Sequence, residues 1–185
     1  MRYIKIKRYL DILISFTFLI FLSPLMFLIY FLIIFFDRVN PLFFHDRSGY
    51  KKRLIKIIKF KTMQNNKVTF LGSILRKYKL DELPQLINIL KGDLSLIGPR
   101  PLLPSYNEKY NEFQNLRFNV MPGLTGLSQV KLNNTNKWKK KFTYDAFYSK
   151  KISLKLDIYI FYLTVLLFIN IIFRKKTIIE DHTLF

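Results

Sequence analysis

The sequence contains no cysteine and only two histidines, His45 and His182, far apart along the chain. The first absence excludes a disulfide framework, a thiolate metal site and a thiol nucleophile. The second argues against a zinc cluster. Acid is also scarce, with 12 Asp and Glu against 31 Lys and Arg, for a formal net charge of +19. Such a balance points to anionic partners: phosphate-bearing ligands, acidic lipid headgroups or nucleic acid. Repeats and low-complexity linkers are missing too. With 185 residues, half of them hydrophobic, there is room for one modest domain and membrane-embedded segments, and none for a second large domain.

Charge disappears altogether between Ile12 and Phe36 (ILISFTFLIFLSPLMFLIYFLIIFF). At 1.5 Å per residue this run is long enough to cross a hydrocarbon core of roughly 30 Å. It exceeds the apolar region of a signal peptide and no small-x-small cleavage site follows, so the mature protein is expected to keep it. Ser23-Pro24 interrupts it: Pro24 removes a backbone donor, and Ser23 can bond an upstream carbonyl freed by the bend. Arg2, Lys5, Lys7 and Arg8 precede the run, and Arg38, Arg47, Lys51, Lys52 and Arg53 follow it. Positive charge on both flanks gives no preference for opposite sides of a membrane. Two arrangements fit, a re-entrant helical hairpin with both ends on one side and a Pro-kinked spanning helix. The re-entrant form is the expectation over residues 1–39, with Asp11 pairing with Lys7 or Arg8.

Downstream, PLFFHDRSGYKKRLIKIIKFKTM alternates apolar and basic residues around Ser48-Gly49 and predicts a short β-hairpin. Phe70–Tyr78 reads as a short amphipathic helix. In Glu82–Leu90, the spacing of Leu83, Leu86, Ile87 and Leu90 predicts another helix, stopped by Gly92. Pro84 is compatible with it only in the first turn. Tyr106–Val120 reads as helical and Met121–Gly126 as a turn. Leu154–Phe173 forms an apolar helix; from Ile158 onward it measures roughly 24 Å, short for a span, so an interfacial position is expected. A basic then acidic tail occupies 174–185.

The few acids therefore stand out where two adjoin, in Leu80–Leu102 (LDELPQLINILKGDLSLIGPRPL). The plain reading makes Asp81 an N-cap and Glu82 a complement to the helix dipole. A chemical reading is also open: neighbouring carboxylates on a helix point about 100° apart, so one can attack while the other holds a metal. A carboxylate kept ionised at a helix N-terminus needs no general base as a nucleophile. A phosphate target would require cations, and Arg76, Lys79, Lys91 and Arg100 are near in sequence. Pro99 and Pro101 restrict the backbone around Arg100, suiting its guanidinium to a bidentate phosphate grip. Asp93 reads as a cap of the next turn. Lys59-Phe60-Lys61-Thr62-Met63 reads as a strand, weak evidence by itself.

Taken in order, Lys7-Arg8 with Asp11, Ser23-Pro24, Arg47-x-Gly49, Lys59–Met63, Leu80–Leu86, Lys91–Asp93, Gly98–Pro101 and Pro122–Gly126 resemble the bacterial sugar transferase family. More narrowly, the chain is similar to its small monotopic phosphoglycosyl transferases. The resemblance implies an α+β, mainly helical fold, with a re-entrant membrane helix (1–39), a catalytic domain on the cytoplasmic face of the bacterial inner membrane (40–153) and an interfacial helix (154–173). It implies transfer of a sugar 1-phosphate from a UDP-sugar to undecaprenyl phosphate with release of UMP. Asp81 would form a covalent phosphosugar intermediate and Glu82 would hold Mg²⁺, with Arg76, Arg100, Lys59 and Lys61 at the phosphates. Membrane phospholipids, and no nucleic acid, are the other partners implied. Met121, Leu127 and Asn133 depart from the family pattern, in which two cations are expected in that loop. The rival from another class is a noncatalytic basic protein that binds acidic lipid or nucleic acid through Trp138-Lys139-Lys140-Lys141. A closer rival lets the lipid phosphate attack the UDP-sugar directly, with Asp81 only orienting.

Overall fold

The structure, a computed structural model, describes residues 2–132 and 137–173; Asn133, His182 and the expected tail over 174–185 lie outside the described residues. The fold is α+β and mainly helical, with its strands in short pairs.

The uncharged run and the basic residues before it form one helix, α1 (Arg2–Leu32), which continues into a π-helical turn at Ile33–Asp37. Arg38, with φ at 51°, stops it. Helical structure carries on through Pro24. The carbonyl that Pro24 cannot reach, that of Ile20, accepts the Ser23 hydroxyl at 2.8 Å. The polarity of α1 is inverted relative to a soluble helix. Lys7, Asp11 and Ser15 are buried at i, i+4, i+8, while Tyr9, Phe21 and Phe35 are each at least three-quarters exposed. Large aromatics turned outward around a polar seam suit a helix that meets lipid rather than water.

The expected hairpin is present as β1 (Leu42–Ser48) and β2 (Leu54–Phe60), antiparallel with Leu42 opposite Phe60. The expected strand at Lys59–Met63 is split. β2 ends at Phe60, and Met63 begins a small ladder, β3 (Met63–Gln64) with β4 (Lys67–Val68), turned by Asn65 and Asn66 at positive φ. Helix α2 (Phe70–Lys77) follows, capped by the Thr69 hydroxyl. It lies directly on the KFKTM segment, since a Cβ at Gly72 would come within 2.2 Å of the Thr62 carbonyl oxygen.

The expected helix from Glu82 begins only at Gln85 (α3, Gln85–Lys91), with Pro84 as its N-cap and Gly92 (φ 90°) as its stop. Asp81 and Glu82 sit on a separate 3₁₀ turn, Leu80–Glu82, because Lys79 in the left-handed region breaks the chain after α2. Leu86 and Ile89 are the buried apolar residues of α3, with Ile87 and Leu90 only half-buried, so the core face is rotated from the predicted stripe. Asn88 sets that rotation: its side chain bonds the Ile58 amide and the Lys56 carbonyl of β2, and Asp93. Asp93 thus holds Asn88.

Beyond the dyad, β5 (Ser95–Ile97) pairs in parallel with β6 (Gly123–Thr125), so part of the predicted 121–126 turn is strand. A three-residue strand is specified by its distant partner, here through Ser95 N to Pro122 O and Gly98 N to Thr125 O. The predicted helix over 106–120 contracts to α4 (Glu112–Asn115) with 3₁₀ turns at Pro104–Tyr106 and Leu116–Asn119. Its start is fixed by the Asn111 and Gln114 capping box. Then come α5 (Leu127–Lys131), α6 (Trp138–Lys151) and α7 (Leu154–Phe173).

Three apolar clusters hold these parts together. Tyr148, Ile160 and Val130 centre the first, and Ile57, Ile89 and Leu94 the second, which takes in Leu19 and Leu22 of α1. In the third, Ile29 and Ile33 meet Phe60 and Leu75. The start of α1 is pinned by polar contacts instead. Lys7 pairs with Asp157 at 2.9 Å and with Asp11 at 3.7 Å, and Asp11 accepts from Ser95 Oγ and the Leu96 amide. The expected Asp11–Lys7 pair is therefore present; Arg8 instead donates to the Ile89 and Leu90 carbonyls at the end of α3.

Candidate active site

The 3₁₀ turn is oriented by its flanks. Leu80 and Leu83 pack against the Ile29–Ile33–Phe60–Leu75 cluster, which turns Asp81 and Glu82 the other way, toward β2 and the Gly98–Pro101 loop. Glu82 Oε1 accepts from Lys59 Nζ at 2.5 Å and from Arg100 Nη2 at 2.8 Å. Burial alone would push the Glu82 carboxyl up, but Arg100 and Lys59 outweigh it and hold it at about 2.

Asp81 behaves oppositely. It is buried and, among the described residues, its carboxylate makes no hydrogen bond or ion pair. Burial raises its pKa, the adjacent Glu82 charge raises it further, and Lys59, Lys79 and Arg76 pull the other way. The N-cap reading is thereby corrected: the residue lies on a 3₁₀ turn ahead of the α-helix and accepts no backbone amide there. Its ionisation is favoured by side-chain cations, not by a helix terminus.

The predicted cations divide. Lys59 and Arg100 touch Glu82, and Arg76 lies within electrostatic reach of Asp81 with its Nε bound to Thr62 Oγ1 at 2.7 Å. No bond from the Lys61 ammonium to either carboxylate occurs among the described residues; its backbone amide bonds the Pro41 carbonyl. Lys91 is exposed in the last turn of α3, at the end opposite the dyad. Pro99 and Pro101 shape the loop as expected, and that loop is tied down by Gly123 N to Pro99 O, Ser48 N to Leu102 O and Arg117 to Arg100 O. Ser23 and Pro24 belong to α1 and take no part in the carboxylate cluster.

Three contributors were not legible as site residues. Thr62 orients Arg76. Arg47 projects from β1 toward Arg100 and Glu82, its pKa lowered by burial and then by Arg100. Arg117 holds the Arg100 carbonyl. The period-2 pattern of β1 was the available signal for Arg47; the other two depend on distant chain.

A groove of about 1070 Å³ opens beside this cluster. Lys79, Glu82 and Arg100 line one part of it, and apolar side chains such as Ile14 and Phe18 of α1 and Phe161 and Phe168 of α7 line most of the remainder, with charged residues such as Lys7, Asp11 and Asp157 among them. As to a metal, no group of three His, Asp or Glu side chains that could enclose one exists among the described residues. A closed protein cage is thus not built. A site of one or two carboxylates completed by substrate phosphates does fit: Glu82 Oε2 and the Asp81 carboxylate have no partner among the described residues.

Against known proteins, residues 2–171 match the family model described as Bacterial sugar transferase. The chain belongs to the bacterial sugar transferase family. This sugar transferase is 42% identical over 139 residues to EpsL of Bacillus subtilis, named an uncharacterized sugar transferase, covering 68% of this chain and 69% of that one. It is 34% identical over 188 residues to the exopolysaccharide production protein ExoY of Sinorhizobium fredii (86% and 83% of the two chains). It is 35% identical over 181 residues to the UDP-glucose:undecaprenyl-phosphate glucose-1-phosphate transferase of Klebsiella pneumoniae, spanning 86% of this chain and 39% of that larger protein. Every part of the carboxylate cluster falls inside the matched residues of the sugar transferase.

Proposed function

We propose that this sugar transferase moves a sugar 1-phosphate from a UDP-sugar to undecaprenyl phosphate and releases UMP, in two steps through Asp81. The observation that carries the reading is the asymmetry of two adjacent carboxylates. Glu82 is gripped by Lys59 and Arg100, while Asp81 is buried without a hydrogen-bond or ion-pair partner among the described residues. An oxygen free of donors, in a setting that raises its basicity, is suited to attack.

In the first step an Asp81 carboxylate oxygen attacks the sugar-bearing phosphorus of the donor, and the bond to UMP breaks with its electron pair leaving on UMP. In the second, an oxygen of undecaprenyl phosphate attacks the same phosphorus, forming a diphosphate and returning Asp81 as carboxylate. Arg76, Lys79, Lys59 and Arg100 blunt the repulsion between carboxylate and phosphates. Mg²⁺, held by Glu82 together with substrate phosphate oxygens, would neutralise further phosphate charge. The groove supports the acceptor assignment, since it joins a part lined by Lys79, Arg100 and Glu82 to an extensive apolar wall.

The enzyme sits in the bacterial inner membrane as a re-entrant protein whose active site faces the cytoplasm. The support is that one domain touches α1 along its length: Lys7 meets Asp157, Leu19 and Leu22 meet the Leu86–Ile89 cluster, and Ile29 and Ile33 meet Phe60 and Leu75. A helix perpendicular to a bilayer would carry its two ends to opposite aqueous sides, roughly 30 Å apart. α7 lies at the interface, its buried face given by Asp157, Ile160 and Leu163. A noncatalytic basic protein would have no use for a buried acid that has no partner among the described residues.

The test is UMP release, or exchange of labelled UMP into UDP-sugar, by protein, Mg²⁺ and a panel of UDP-sugars without lipid acceptor. Exchange is expected with the correct sugar and is lost in Asp81→Asn. Turnover that always requires lipid, with no exchange, supports direct attack instead.

A further inference from the structure

Arg117 is almost completely buried, 4% exposed, on the 3₁₀ turn ahead of β6. Its guanidinium spends its donors in three directions. Nη2 lies 3.0 Å from Asp145 Oδ2 of α6 and donates at 2.5 Å to the backbone carbonyl of Arg100; Nη1 donates to the Tyr110 hydroxyl at 3.1 Å. The rings of Tyr110, Phe118 and Phe142 enclose it at 5.5–5.8 Å. A buried ion pair is an inefficient way to stabilise a fold, because the desolvation of two charges offsets most of their attraction. Apolar side chains of similar size would serve a purely structural role at least as well. What apolar side chains cannot supply is a donor aimed at the Arg100 carbonyl.

From this geometry we infer that Arg117 is a positioning residue for the transfer reaction: anchored on Asp145, it fixes the backbone of the Gly98–Pro101 loop and thereby aims the Arg100 side chain at Glu82 and the donor phosphates. The loop needs such a tether. Neither Pro99 nor Pro101 has an amide to donate, so past Gly98, whose amide bonds the Thr125 carbonyl, the loop is held through its carbonyls, those of Pro99 and Arg100. The Arg100 guanidinium, by contrast, is 43% exposed and is ordered chiefly by Glu82. Lysine cannot replace Arg117, since one ammonium cannot reach Asp145, Tyr110 and the Arg100 carbonyl with the spread of a planar fork. This inference rests on the reading of Arg100 as a phosphate-gripping residue given above.

The experiment is a double-variant cycle in the full chain in lipid nanodiscs, with UMP release as readout and Arg117→Lys combined with Arg100→Ala. Arg117→Lys alone is expected to lower kcat/KM for the UDP-sugar at least tenfold. In the Arg100→Ala background the same change is expected to cost less than twofold. Equal losses in both backgrounds overturn the inference. Hydrogen exchange supplies a readout independent of activity. In Arg117→Lys, exchange of the peptide spanning 96–103 rises while that of 138–151 stays at the wild-type level; an unchanged loop, or a rise in both, overturns the inference. If Arg117→Lys does not fold, Asp145→Asn, which keeps the guanidinium but loosens its anchor, is expected to give the same non-additivity with a smaller loss, and additivity there overturns it. Failure of the function reading looks different: wild-type protein then releases no UMP from any donor, while the loop exchange still reports on Arg117.

Discussion

Lys7, in the second turn of the membrane helix, and Asp157, in the first turn of α7, meet at 2.9 Å with side chains only 9% and 7% exposed. Tyr3 and Tyr148 both donate to the same carboxylate, at 2.6 and 2.8 Å. Two lipid-facing helices are thus joined to each other and, through Tyr148, to the domain core. Removing one partner leaves a buried charge uncompensated. Lys7→Met or Asp157→Leu is expected to destabilise by about 3 kcal/mol. The double replacement should recover part of that loss, and thermal unfolding of the three variants in one detergent checks it.

Asp81→Asn separates function from stability. The native carboxylate is desolvated, sits beside Glu82 and bonds nothing among the described residues, so neutralising it relieves a cost instead of breaking a contact. UMP release is expected to fall at least about a thousandfold, on the scale seen when a covalent nucleophile is lost. The unfolding temperature should be unchanged or higher. A large drop in stability would mean that the residue is a structural one.

Glu82 has the opposite pH linkage. Its folded-state pKa of about 2 lies below the ordinary value of 4.5, so its contribution to stability is complete above pH 4.5. That contribution, roughly 3 kcal/mol, is lost as pH falls from 4.5 to about 2. Measured with a chelator present, the stability gap between wild type and Glu82→Gln should be widest near neutrality and close steadily over that interval.

Single cysteines introduced near residues 3 and 40 report the membrane arrangement without background, because the chain has no cysteine of its own. Labelling of both by an impermeant maleimide from the cytoplasmic side is expected for the re-entrant form. Labelling from opposite sides restores a spanning helix.

Local grammar carried much of the outcome. The uncharged run from Ile12, the hairpin around Ser48-Gly49, the α2 segment and the Gly92 stop are all decided within a few residues by hydrophobic pattern and turn chemistry. Ser23 bonding the Ile20 carbonyl followed from proline geometry alone. Helix α6 was not foreseen, for its lysine-rich first turn has no apolar stripe, and its buried residues, Ala146 and Tyr148 with Asp145, are chosen by what packs on them. The 106–120 region misled for a similar reason, since Arg117 and Phe118 are placed by distant partners and not by helical periodicity.

By itself the sequence determined that two carboxylates adjoin, that cations and a proline-bounded arginine accompany them, and that a long apolar segment meets lipid, because these are matters of covalent order and composition. Only the tertiary structure decided which carboxylate is clamped and which is left without a partner among the described residues. That division arises because Lys59, Arg100 and Arg117 come from separate elements, and their charges act over a few ångströms only once folding has removed the water between them.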